Sequence, residues 1–182
     1  MFTLLFFKKT VLITGSMNIH LQEVTLTAKN EYMNNNKIAP NLWFSADGGR
    51  ISKIIEYYKT IFLKDFEYSP IMSLGETPSG NTEICNVTIF GQRYVFMSTA
   101  LPHHPLNDAV SLILYCEDQK EIDSYWNYFT REGQESQCGW CIDKYGLRWQ
   151  VLPKNLAELM SQTDSFKVMM GQTKIIINDY LN

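Results

Sequence analysis

The sequence predicts an α+β fold: two β-α-β-β-β modules with paired curved mixed sheets, helices outside and a cleft between them. Three observations carry this expectation. Two amphipathic helical segments are each framed by β-rich runs in the same order. The helical segments IIEYYKTIF and IDSYWNYFT match at a constant offset of 68 residues, Tyr57 and Tyr58 with Tyr125 and Trp126, and Ile61 with Phe129, which marks an internal repeat. A unit of this size cannot bury both faces of a sheet by itself, so two such units are expected to share a core.

Residues 1–36 hold two short β-rich runs, at 11–14 and 23–28, and then a polar segment. KTVLITGS at 9–16 has the shape of a first strand and turn of a dinucleotide site. Asn18, Ile19, His20 and Leu21 stand where further glycines would have to follow, which excludes that reading. The positive charges come after a very short apolar run, the wrong order for an export signal. The segment is expected to be a loosely ordered extension, or to lie upstream of a translation start at Met33.

The organised pattern begins at Lys37, and module one is read over residues 37–101. IAPNLWFSA is a strand with Pro40 near its start, where a missing donor is tolerated. Asp47 and two glycines break it. Ile51, Ile54, Ile55, Tyr58, Ile61 and Phe62 then recur at helical spacing, with Lys53, Glu56 and Lys59 on the other side. Strands are expected at residues 66–73, 83–90 and 94–100, the last two joined as a hairpin at Gly91-Gln92. A loop with Pro102, His103, His104 and Pro105 leads to module two, residues 109–153. Its first strand, residues 109–117, is apolar on both faces. Asp118 is an N-cap with Glu121 three residues on, and Ile122, Tyr125, Trp126 and Phe129 form the helical stripe that Gly133 ends. Short strands are expected at 135–138, 141–144 and 147–153. Residues 154–182 are read as a C-terminal helical tail packing on a partner subunit.

Composition excludes several function classes. A chain of 182 residues with 45% hydrophobic residues and a formal net charge of −3 has ample core and no field to recruit nucleic acid or an anionic membrane. Four cysteines, Cys85, Cys116, Cys138 and Cys141, are too few for a disulfide-stapled scaffold, so a cytoplasmic protein with reduced thiols is expected.

The order APNLWF, EYYKTIF, GQRY, a Pro-His segment before VSLILYC, YWNYF and above all CGWCIDKYGLRWQVLP resembles the PhnB-like branch of the vicinal oxygen chelate superfamily. That branch is also described as the 3-demethylubiquinone-9 3-methyltransferase domain and is related to glyoxalase, bleomycin-resistance proteins and extradiol dioxygenases. The resemblance covers residues 37–159 and implies the glyoxalase/bleomycin resistance/dioxygenase fold and a homodimer. In catalytic relatives a divalent metal, held by His, Glu or Gln side chains on inward strand positions, polarises two neighbouring substrate oxygens. The ligating Glu stands four residues after the glycine of an Asp-x-x-Gly turn, and here that position, counted from Gly146, is Gln150. The other expected ligand positions hold Asn41 in the first strand, Met97 and Ser98 at the end of the fourth, and Ala109, Val110 and Ser111 at the start of the fifth. The set contains no carboxylate and no imidazole, so no metal ligands are assigned and no cofactor is expected. His103 and His104, flanked by prolines, are read as exposed loop residues.

Without a metal, the cleft offers Asn41, Trp43, Met97, Ser111, Trp140 and Gln150 as ligand-binding candidates, with Tyr94 and Trp149 as further aromatic residues. Strand alternation keeps Trp149 and Gln150 off the same face; the family register turns Gln150 to the cleft and Trp149 to the core. Cys138 and Cys141 form Cys-Gly-Trp-Cys outside any helix N-terminus and without a second cysteine pair, so they are read as packing and turn. No glycine-rich turn in the context of a parallel α/β sheet supports S-adenosylmethionine binding, and no catalytic residue is assigned. The expected function is metal-independent binding of a small molecule between the modules. The alternatives are a metal-dependent lyase or isomerase of the glyoxalase type using Gln150, and a structural dimer that fills the cleft with its own side chains.

Overall fold

In the computed structural model, which describes residues 37–181, each module is built around one parallel pair of strands. The readings made for residues 1–36 lie outside the described residues. Sheet one contains β1 (Asn41–Phe44), β2 (Phe66–Tyr68), β3 (Met72–Thr77), β4 (Gly80–Ile89) and β5 (Gln92–Thr99), in the order β1-β5-β4-β2 with β3 also on β4. Sheet two contains β6 (Ser111–Cys116), β7 (Gln134–Glu135), β8 (Trp140–Ile142) and β9 (Arg148–Pro153), in the order β6-β9-β8-β7. The first strand of each sheet runs parallel to the last and the other pairs are antiparallel, so both sheets are mixed.

Helix α1 (Ser52–Phe62) follows the apolar stripe and buries Ile54, Ile55, Tyr57, Tyr58 and Phe62. The sequence supplies no side-chain cap before it. Glu83 of β4 takes that role, its carboxylate accepting from the Ile51 N–H at 2.8 Å, where negative charge also complements the helix dipole. Helix α2 (Gln119–Thr130) is capped as the sequence suggests: Asp118 accepts from the Glu121 N–H at 2.8 Å, and the Glu121 carboxylate accepts from the Glu117 N–H at 2.7 Å.

Four elements differ from expectation. The hairpin between β4 and β5 turns at Phe90-Gly91, with φ of 47° and 78°, and not at Gly91-Gln92, because Gln92 already pairs with Ile89. The strand expected over residues 66–73 is split into β2 and β3, because Pro70 has no N–H to give the ladder. The strand expected over 135–138 stops at Glu135; Cys138 and Gly139 are left-handed, with φ of 57° and 80°. The tail, with α3 (Leu156–Leu159), α4 (Ser165–Met170) and a 3-10 turn at Ile177–Tyr180, packs on its own module. Leu159, Ile175 and Tyr180 form a small core with Leu152, and the Gln172 and Thr173 carbonyls accept from the Cys138 and Gly139 N–H groups at 2.8 and 2.7 Å. Gly139 is required there. A Cβ would stand 2.9 Å from the Val151 oxygen and 3.1 Å from Ile175.

The helices do not lie outside a joined sheet. Tyr58 of α1 touches Phe44 and Phe96 on the inner face of sheet one and Trp149 on the inner face of sheet two. Phe62 meets Tyr125, Phe129 and Trp149, and Trp149 stacks on Phe129 at 4.6 Å. The Tyr128 hydroxyl donates to the Tyr57 carbonyl at 2.7 Å. These bulky rings are buried between the two sheets, and their burial settles which faces turn inward. The inner faces share one core and the opposite faces of the two sheets point away from it. Among the described residues no helix is long and apolar enough to cross a membrane.

Asp143, in the turn before β9, ties this core together. Its carboxylate accepts from the Tyr58 hydroxyl at 2.6 Å, the Trp149 indole N–H at 2.8 Å and the Tyr145 and Leu147 N–H groups at 2.9 and 3.1 Å. Burial pushes the carboxyl upward, against these four donors, which favour its ionised form. Asp143→Ala, which strands buried donors, is expected to cost ~3 kcal/mol or more, and Tyr58→Phe ~1–3 kcal/mol, in urea unfolding. Losses for both below ~0.5 kcal/mol would contradict this role.

Candidate functional site

Each sheet presents a cross-strand row on the face turned away from the shared core. In sheet one, Trp43 is opposite Met97 and Met97 opposite Ile84, with Asn41 one step along β1 beside Val95. In sheet two, Ile113 is opposite Gln150 and Gln150 opposite Trp140. Because each row runs from the parallel strand to the last strand to its antiparallel neighbour, Met97 holds in module one the position that Gln150 holds in module two. The rows lie on outward-pointing faces, so within one chain the six candidate residues form two sets, Asn41, Trp43 and Met97 in one and Ser111, Trp140 and Gln150 in the other.

The polar groups of the second set bond to each other. Gln150 Nε2 donates to Ser111 Oγ at 2.8 Å. On the same face Arg148 donates from Nε to Asp108 at 2.8 Å and from Nη1 to the Leu106 and Gly146 carbonyls at 2.7 and 2.6 Å. Its charge therefore anchors the linker between modules. Trp149 lies on the opposite face, buried against Phe129, as does Tyr94 in sheet one, where burial pushes the phenol up.

The donor set does not fit a divalent metal. Of the positions where relatives carry ligands, Ser98 turns inward and donates to the Ala46 carbonyl at 3.1 Å, while Asn41, Met97, Ser111 and Gln150 bring neither carboxylate nor imidazole. Among the described residues no three His, Cys, Asp or Glu side chains come together in a way that could hold a metal ion. A cavity of about 540 Å³ between Glu117, Lys154 and Asn178 and another of about 390 Å³ beside Asp47, Lys53 and Tyr145 are lined by none of the six candidates.

The turn Ala46-Asp47-Gly48-Gly49 does stand between a strand and a helix, yet packing explains its second glycine. A Cβ on Gly49 would lie 1.8 Å from the Asn81 oxygen, and the sheet beside it is largely antiparallel. In Cys-Gly-Trp-Cys, Cys141 is fully buried on the inner face and burial pushes its thiol up to about 12, while Cys138 turns toward the tail, 3.4 Å from the Met169 carbonyl.

One contact escaped sequence reasoning. The imidazole of His103 packs on the Trp43 indole, with centroids 4.5 Å apart, and the Trp43 N–H donates to Thr99 Oγ at 3.0 Å. Nothing local in the Pro-His-His-Pro loop signals which histidine would fold back onto sheet one.

A family model described as 3-demethylubiquinone-9 3-methyltransferase matches residues 36–152. Among solved structures, the fold is similar to that of a PhnB protein from Bacillus cereus, at 24% identity over 65% of this chain and 99% of that chain, with a TM-score of 0.55. It is also similar to protein PA1353 from Pseudomonas aeruginosa, at 15% identity over 66% of this chain and 98% of that chain, with a TM-score of 0.51. The fosfomycin resistance protein FosX from Listeria monocytogenes aligns at 13% identity over 71% of this chain and 100% of that chain, with a TM-score of 0.48. No curated protein matches.

The cysteine geometry has a direct test. In the native protein at pH 8, a disulfide reagent is expected to label Cys138 alone, because Cys85, Cys116 and Cys141 are buried and burial pushes the last two up to about 12. Mass mapping that found Cys141 labelled as fast as Cys138 would contradict it.

Proposed function

On the premise that this chain belongs to the 3-demethylubiquinone-9 3-methyltransferase (PhnB-like) family of the vicinal oxygen chelate superfamily, we propose that it is a cytoplasmic, metal-independent homodimer that binds a small, flat, largely apolar molecule. The observation that carries the reading is the row Ile113–Gln150–Trp140. At its centre, where metal-bearing relatives would have a carboxylate, stands a neutral amide already bonded to Ser111. The facing chemistry in the other module, Trp43, Met97 and Ile84, is apolar. Such surfaces suit a ligand held by ring stacking and one or two hydrogen bonds.

The dimer is supported by what the open faces expose. On the open face of sheet one Trp43 and Met72 are 36% and 61% accessible, and on the separate face of sheet two Ile113 and Tyr115 are 46% and 60%, so each face leaves a pair of large apolar side chains uncovered. Since the two rows point away from one core, the cleft between modules is proposed to close only when module one of one chain meets module two of another. Methyl transfer is not part of the proposal, because Gly49 serves the approach of β4 and no nucleotide cradle accompanies it.

Sedimentation is expected to show a dimer. Refolding with nickel, zinc or manganese is expected to leave substoichiometric metal and no glyoxalase activity, and a thermal-shift screen of flat apolar compounds is expected to give hits lost in Trp43→Ala. Stoichiometric metal uptake abolished by Gln150→Ala would overturn the metal-independent reading in favour of a lyase or isomerase. A screen without any hit would favour a purely structural dimer.

A further inference from the structure

The open face of sheet one ends in a polar group that its apolar row does not use. After β5 the chain passes through Leu101, whose carbonyl accepts from Ser45 and Thr99 at 3.1 and 3.3 Å, and this holds the root of the loop. Two residues later His103 folds back onto the Trp43 indole, whose own N–H is committed to Thr99. His103 Nδ1 lies 2.6 Å from the His104 carbonyl oxygen. A carbonyl only accepts, so Nδ1 carries the hydrogen, and in the neutral ring the lone pair is on Nε2. That atom is buried and, among the described residues, has no hydrogen-bond partner. A buried acceptor without a donor is costly, and a donor brought to Nε2 would remove that cost.

We propose that His103 Nε2 accepts a hydrogen bond from the bound small molecule, whose ring takes the imidazole's place on Trp43 while His103 moves to its edge. One stacking contact replaces another, and the unfilled acceptor gains its donor. The ligand class follows: a planar, uncharged molecule with a hydroxyl or N–H at its rim. This rests on the reading of the open faces as ligand-binding and adds to it the polar group that discriminates between ligands.

The full-length protein is titrated by tryptophan fluorescence with 2-naphthol and with 2-methoxynaphthalene, probes that share a ring system and differ in the donor. Wild type is expected to bind 2-naphthol about tenfold more tightly. His103→Phe, which keeps a ring on Trp43 without an acceptor, is expected to bind both alike, and His103→Gln, whose amide oxygen can accept, to recover part of the preference. No preference in wild type, or a preference that persists in His103→Phe, overturns the role of His103 and leaves the ligand-binding face standing. Failure of wild type to bind either probe overturns the ligand-binding reading and this inference with it. Should His103→Phe not fold, two-bond proton–nitrogen NMR of wild type decides instead: the Nδ1–H tautomer is expected, and the Nε2–H tautomer overturns the proposal.

Discussion

The buried carboxylate of Asp143 is the constraint on which the arrangement of the two modules depends. It collects donors from a helix of module one, from the last strand of module two and from its own turn. The surrounding rings supply more free energy, at ~1.5–3 kcal/mol for each large side chain fully buried. Apolar burial sets which faces turn inward, and a carboxylate with four donors at defined directions adds a directional constraint to it. Packing brings α1 and β9 together, and the hydrogen bonds decide which residues meet. Trp149 is thereby held inward, and strand alternation then sends Gln150 outward.

The same constraint decides which way the candidate residues face. With Tyr58 wedged between both inner faces, the helices become the shared middle of the molecule, and the faces bearing Trp43 and Gln150 are left on its flanks. An intramolecular cleft would need those faces to approach, which the aromatic core prevents. Within one chain the two candidate rows therefore stay apart, each on its own sheet face.

Much of this was legible in the sequence. The stripe from Ile51 to Phe62 and the Asp118 cap became α1 and α2 nearly to the residue, because period and capping are local signals. The internal repeat announced the two mixed sheets. What stayed hidden was nonlocal. Asp143 read as a turn residue, since its partner Tyr58 lies 85 positions away. Glu83 as the acceptor at the start of α1, and His103 on Trp43, likewise depend on contacts that no window of sequence contains. The helices were expected outside because amphipathic helices usually face solvent on one side. Here the rings of α1 are numerous enough to fill a second interface.

The tail's attachment at Gln172 and Thr173 bears on what counts as one unit. The stretch shared with the family ends at Leu152, but Leu152 itself completes a small core with Leu159, Ile175 and Tyr180, and Gly139 has its N–H answered from Thr173. The family match therefore stops short of the packing unit, and the last stretch of chain helps hold the Cys138-Gly139 turn that precedes β8 and β9.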